Sequence, residues 1–188
     1  MYPSVHRCCV PSLKQRCRPY LRSTNDSWRV DETYIKVKGK WKYLYRAVDS
    51  AGSTLDFLWC AKRDFKAAKR FLSKVLKSNH CQAPRVINVD KNPAYPKAVR
   101  ELITVNKLPN TCKLRQNKYL NNMVEQDHRF VKGLTTPGLG FVSFNTARRT
   151  LKGYEMMNMI GKGQIVGVEK RDILGQVKFI AQLFGVAA

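Results

Sequence analysis

Three runs near the start of the chain, rich in apolar, aromatic and β-branched residues and the first of them alternating with polar ones, predict strands over 28–37, 41–48 and 54–61. Gly39-Lys40 and Asp49-Ser50-Ala51-Gly52-Ser53 separate the runs, so the three read as an antiparallel meander. At 64–78 the period changes. Phe65, Ala68, Phe71, Leu72, Val75 and Leu76 recur at helical spacing with lysines and arginines between them, which predicts an amphipathic helix packed on the sheet. Pro84 then precedes a fourth strand, 85–89, that delivers Asp90. Asn92-Pro93 reads as a helix start, with Asn as the cap and Pro in the first turn, and that helix runs to about Ile103. A fifth strand is expected near 112–116, and helices from about Asn121, from Asn145 to Ile160, and over 171–184. Three antiparallel strands followed by alternating helices and strands make an α/β domain with a mixed sheet. It spans 25–163. Residues 1–24, basic and interrupted by Pro3, Pro11 and Pro19, read as an irregular segment or linker, and 164–188 as an amphipathic helical tail.

A chain of 188 residues suits one domain with a full core and short appendages. Charge changes the picture more than length does. The chain has 35 lysines and arginines against 13 acids, a net charge of +22. Such an excess calls for a polyanionic partner, and the phosphate backbone of nucleic acid is the usual one. No stretch approaches the roughly 20 apolar residues of a membrane-spanning helix, and the first residues lack the apolar core of a signal peptide, so a cytoplasmic protein near the nucleoid is expected. The six cysteines show no C-x-x-C spacing. His6, Cys8, Cys9 and Cys17 suit a tetrahedral zinc site poorly because two of them are adjacent, and reduced thiols are expected.

With acids so scarce, their placement matters. Asp31 opens the strand-like run that follows Trp28-Arg29-Val30, Asp90 closes Val86-Ile87-Asn88-Val89, and Glu125 lies just inside a helix. Gaps of 58 and 34 residues separate them. A carboxylate at the end of a buried strand is costly without a partner or a metal. Phosphoryl transfer gives it a purpose, because carboxylates that share two divalent ions can clamp the attacking and leaving oxygens of a phosphodiester. At about 100° per residue, Glu125, His128, Arg129 and Lys132 share one stripe of their helix, and Met123, Val124, Phe130 and Val131 lie opposite. Glu125 is therefore expected to face a cleft, and Asp127 to point to the core as a structural acid. Lys91, His128, Arg129 and Lys132 flank the acids where they would hold a phosphate backbone. Asp49, Asp56 and Asp64 sit in or beside turns and read as caps and turn formers. Trp28, Trp41 and Tyr43 could stack on bases, but half-buried strand aromatics are commoner. Glu125 and His128 also spell Glu-x-x-His; a di-iron bundle needs a second such pair, which is absent.

The segments around these acids resemble the three motifs of bacterial insertion-sequence transposases of the DDE class. Trp28-Arg29-Val30-Asp31-Glu32-Thr33-Tyr34-Ile35-Lys36-Val37-Lys38-Gly39 is similar to the first, Val89-Asp90-Lys91-Asn92-Pro93-Ala94-Tyr95 to the second, and Tyr119-Leu120-Asn121-Asn122-Met123-Val124-Glu125-Gln126-Asp127-His128-Arg129 to the third. Lys132 stands where these enzymes carry a base after the glutamate. The 34-residue gap and Phe144-Asn145-Thr146-Ala147-Arg148-Arg149-Thr150-Leu151 resemble the insertion-sequence-six family. The resemblance implies an RNase H-like, retroviral integrase-like fold: a mixed five-stranded sheet flanked by helices. It also implies two Mg²⁺ ions (or Mn²⁺) on Asp31, Asp90 and Glu125, DNA as element ends and target, and a homo-oligomer when active. The chain departs from the family pattern at two places. Relatives carry a helix-turn-helix segment before the first aspartate, where 30 residues stand here, and Gly133 stands where another base is usual. The first bears on recognition of element ends, the second on the grip on DNA. Besides a transposase, the sequence leaves room for a truncated, inactive DNA-binding remnant or inhibitory partner, and for a nuclease that hydrolyses without joining.

Overall fold

The computed structural model describes residues 9–117, 122–135 and 140–186. His6, Cys8 and the Tyr119-Leu120-Asn121 part of the third motif lie outside them. The chain divides into two compact units, one formed by 23–142 and the other by 1–22 with 143–188.

The first unit is built on β1 (Ser27–Val37), β2 (Lys40–Asp49), β3 (Thr54–Cys60), β4 (Val86–Val89) and β5 (Lys113–Gln116). Their order across the sheet is β3-β2-β1-β4-β5. The first three strands form the expected antiparallel meander, and β4 and β5 add in parallel on the other side of β1. The mixed five-stranded sheet of the sequence reading is thus present. Helix α2 (Phe65–Leu76) buries the apolar stripe Ala67, Ala68, Phe71, Leu72 and Val75. Asp64 caps it, accepting from the Ala67 amide at 2.7 Å, so this acid is the cap it was expected to be. Helix α3 (Ala94–Thr104) packs beside α2, and both cover a core that includes Trp28, Val30, Tyr45, Ile87 and Val89. Pro93, not Asn92, holds the cap position of α3, but the Asn92 carboxamide still accepts from the Ala94 amide at 3.0 Å. Helix α4 (Asn122–Thr135) packs on β1 and β2.

β4 pairs with β1 only over Ser27–Arg29, and among the described residues no other strand of the sheet runs along the rest of that edge of β1. Near its end the chain returns: Phe141 donates to the Lys36 carbonyl at 3.0 Å and accepts from the Lys38 amide at 2.9 Å. Gly140 makes this approach possible. Its φ is +98°, and a Cβ there would lie 2.6 Å from the Lys36 carbonyl oxygen. Gly140→Ala is therefore expected to destabilise the unit by roughly 1–3 kcal/mol, the scale of a residue held in a forbidden backbone region. Urea denaturation checks this.

In the second unit, α1 (Cys9–Cys17), α5 (Phe144–Gly161) and α6 (Ile173–Phe184) surround a small core of Leu13, Cys17, Met156, Met159, Ile160, Ile165, Val168 and Phe179. The N-terminal segment, whose prolines limit any helix to short pieces, holds the nine-residue α1. Pro11 falls in the first turn of α1, where no intrahelical N–H partner is lost. Ser143 caps α5, accepting from the Thr146 amide at 3.1 Å. Cys17, Cys60, Cys81 and Cys112 are not joined in disulfides, and burial pushes Cys17 and Cys112 up to about 11. Among the described residues, no helix is long and apolar enough to cross a membrane.

Candidate active site

The pairing of β1 with β4 places two of the candidate acids side by side. Trp28 is level with Ile87 and Arg29 with Asn88. Two residues further along these parallel strands stand Asp31 and Asp90. Neighbouring strands lie about 4.8 Å apart, and the carboxyl ends of parallel strands are where open α/β sheets form their crevices.

The two acids have different surroundings. Asp31 is mostly covered, its side chain 17% exposed, and its Oδ2 lies 3.3 Å from His128 Nε2 on α4. Asp90 is more open, its side chain 30% exposed. Its Oδ1 accepts from the Asn92 amide at 3.0 Å, and its Oδ2 from Arg63 at 3.3 Å. Glu125 is exposed on α4, one turn before His128. Residues three apart on a helix have their Cβ atoms about 5–6 Å apart, so Glu125 stands close to the helix position that touches Asp31. Among the described residues, no three His, Cys, Asp or Glu side chains are grouped closely enough to hold a metal ion. Strand register thus sets Asp31 and Asp90 on neighbouring chain segments, and no described group of three unites them with Glu125.

The donor set nonetheless fits a hard divalent cation. A carboxylate has about four lone-pair sites, and the contacts above occupy one on Asp31 and two on Asp90. Carboxylate oxygens are the ligands that Mg²⁺ and Mn²⁺ prefer.

The faces expected on α4 need two corrections. His128 is buried with Val124, Asp127, Val131 and Thr135, so it faces the sheet and not the Glu125 side. Phe130, expected in the core, is 37% exposed. Glu125, Arg129 and Lys132 are exposed as expected, and so is Lys91 beside Asp90. Asp127 does point inward, where Arg46 of β2 donates to it at 3.0 Å and the Thr54 hydroxyl at 3.4 Å. Asp49 accepts from the Asn25, Ala51 and Ser53 amides, the turn-forming role read from the sequence.

One acid beside the site was given no role by the sequence. The Glu32 side chain is only 3% exposed. It accepts from Arg63, from the Tyr95 hydroxyl, and from the Asn92 carboxamide at 2.8 Å. Burial pushes the Tyr95 hydroxyl well above its usual range and the Glu32 carboxylate adds to this, so Tyr95 stays a proton donor. Burial alone would lower Arg63, but Glu32 and Asp90 outweigh it and hold the guanidinium more firmly charged. Arg63 thereby ties a fully satisfied buried carboxylate to the half-open Asp90.

Comparison with known proteins agrees with this architecture. A family model described as a DDE domain (DDE_Tnp_IS240) matches residues 25–164. The chain is 42% identical over 153 residues to the transposase for insertion sequence-like element IS431mec of Staphylococcus aureus, covering 81% of this chain and 66% of that one. The same figures relate it to the Staphylococcus aureus transposase for insertion sequence element IS257 in transposon Tn4003. The chain thus spans a little under two thirds of the length of these relatives. Among solved structures, the HTLV-2 integrase catalytic core domain in complex with magnesium is similar with a TM-score of 0.54 at 16% identity, covering 79% of this chain and 94% of that one. The catalytic core domain of BIV integrase gives 0.54 at 12% identity, covering 84% and 97%. At such identities the likeness is one of fold, the RNase H-like fold of integrase cores. On the family match and the identity together, the chain belongs to the DDE transposases of insertion sequences, in the insertion-sequence-six family.

Proposed function

We propose that this protein catalyses metal-dependent DNA cleavage and strand transfer in the transposition of an insertion sequence, with Asp31, Asp90 and Glu125 as its catalytic acids. The observation that carries the reading is the pair of carboxylates Asp31, within β1, and Asp90, just past the end of β4, each two residues beyond the last parallel pair of these strands, in a chain of net charge +22. Two Mg²⁺ ions held by the three acids would activate the attacking hydroxyl and neutralise charge on the leaving 3′-oxygen. The protein's own work is positioning. His128 and the strand register hold Asp31, while Asn92 and Arg63 hold Asp90. Lys91, Arg129 and Lys132 bind the phosphate backbone, and His128, buried against Asp31, orients that acid from beneath. Fixing the phosphodiester in such a frame removes much of the entropic barrier to transfer. Element ends and target DNA are the substrates, and synapsis of two ends calls for more than one copy of the chain.

A pre-nicked element end with a free 3′-hydroxyl tests this reading. The expected result is joined product in Mg²⁺ or Mn²⁺ and none in EDTA, with DNA binding that falls steeply as salt rises. Hydrolysis without joining would make the protein a nuclease. Tight DNA binding with no metal-dependent chemistry would leave a DNA-binding partner of other transposases.

A further inference from the structure

The edge of β1 left open beyond β4 carries a second feature, a groove of about 340 Å³ lined by Tyr34, Ile35, Lys36, Trp41, Lys132 and Thr135, with Gly140 at its far side. Two aromatic rings stand out of the surface here. Tyr34 is 52% and Trp41 51% exposed, and they meet edge to face with centroids 4.9 Å apart. Each ring has its own cation: Lys36 Nζ lies 5.0 Å from the Trp41 centroid and Lys132 Nζ 5.1 Å from that of Tyr34. Large exposed aromatics cost apolar surface in water, and their pairing with ammonium groups at a concave site matches how single nucleic-acid strands are held: rings for bases, cations for phosphates.

Position ties the groove to the acids. Tyr34 is three residues beyond Asp31, about 10 Å along a strand and on the opposite face of the sheet, and Lys132 of α4, the helix that touches Asp31, lies over its ring. Lys132 is seven residues beyond Glu125, also about 10 Å along a helix. That is roughly three base steps at 3.4 Å each. The volume lies at the small end of ligand sites, enough for one ring system and far too little for a duplex.

We propose that this groove takes one unpaired nucleobase of the DNA strand being processed, stacked on Trp41 and Tyr34, with Lys36 and Lys132 on its flanking phosphates. This rests on the reading of the acids as a DNA-processing site. The groove would then favour DNA that is frayed or single-stranded near the reacting phosphate.

Tryptophan fluorescence gives a direct readout, because Trp28 and Trp59 are buried and Trp41 is the exposed one. The full chain is titrated with a blunt duplex and with the same duplex bearing a thymidine tail. The expected result is quenching by the tailed duplex and not by the blunt one. The double substitution Tyr34→Ala with Trp41→Ala should weaken tailed-duplex binding by about 5- to 100-fold, the scale of losing one to two stacking contacts. Blunt-duplex binding should stay within about twofold, since phosphate contacts supply it. Trp41→Phe should restore most of the tail preference, which a merely structural role would not explain. Equal loss on both DNAs, no loss on either, or a shift to a smaller oligomer by light scattering would overturn the proposal and leave the acid site untouched. Failure of the parent chain to bind either DNA would overturn the DNA-processing reading and this one with it.

Discussion

Replacing Arg46 with alanine is expected to destabilise the domain by about 3–5 kcal/mol, the cost of leaving one member of a buried ion pair without the other. Arg46 is fully buried in β2 and donates to Asp127 of α4 at 3.0 Å. A small domain is stable by only about 5–15 kcal/mol, so the variant should unfold at a far lower urea concentration or fail to accumulate. Asp127→Leu should be comparably harmful alone. The pair Arg46→Met with Asp127→Leu should recover most of the loss, because a well-packed apolar pair avoids the desolvation of two charges. Recovery matters for function as well, since this pair fixes α4 on the sheet, and α4 carries Glu125 and His128. Asp127→Asn, which keeps a polar partner for Arg46, should lower stability yet spare DNA joining in the protein that folds.

The second large effect is on chemistry. Asp31→Asn, Asp90→Asn and Glu125→Gln are each expected to reduce joining of a pre-nicked end by at least about 10²- to 10³-fold, the scale of removing one fixed electrostatic stabiliser of a transition state. Folding and DNA affinity should change little, because Glu125 is exposed and each substitution keeps the shape of the side chain it replaces. Retained joining in Glu125→Gln together with its loss in Asp127→Asn would show that the wrong acid of α4 had been assigned.

Much of this was legible in the sequence because the elements that place Asp31 and Asp90 are locally encoded. The alternation of β1, the apolar run of β4 and the glycine-bearing turns fix strand ends without reference to distant residues. The α4 face was less legible. Helical spacing placed Asp127 inward, but counting apolar positions turned the helix by enough to place His128 outside and Phe130 inside, because hydropathy cannot reveal a buried histidine. Glu32 was invisible for another reason: its partners Arg63, Asn92 and Tyr95 lie 31, 60 and 63 residues away, and nothing local announces a buried carboxylate. Helix α1 was obscured by its prolines. Its apolar residues, Leu13 and Cys17, acquire meaning only against Met156, Ile160 and Phe179 at the other end of the chain. Trp41 defied the general tendency of strand aromatics toward burial, because β1 and β2 extend past the helices that cover their other end.

The most direct test of the central claim is to locate Mn²⁺ by anomalous X-ray scattering in crystals of the protein grown with that ion. The expected result is manganese on the carboxylates of Asp31 and Asp90, with Glu125 turned in from α4 to complete the site and Arg63 drawn away from Asp90. Manganese bound elsewhere, with Asp31 still against His128 and Asp90 still against Arg63, would contradict it.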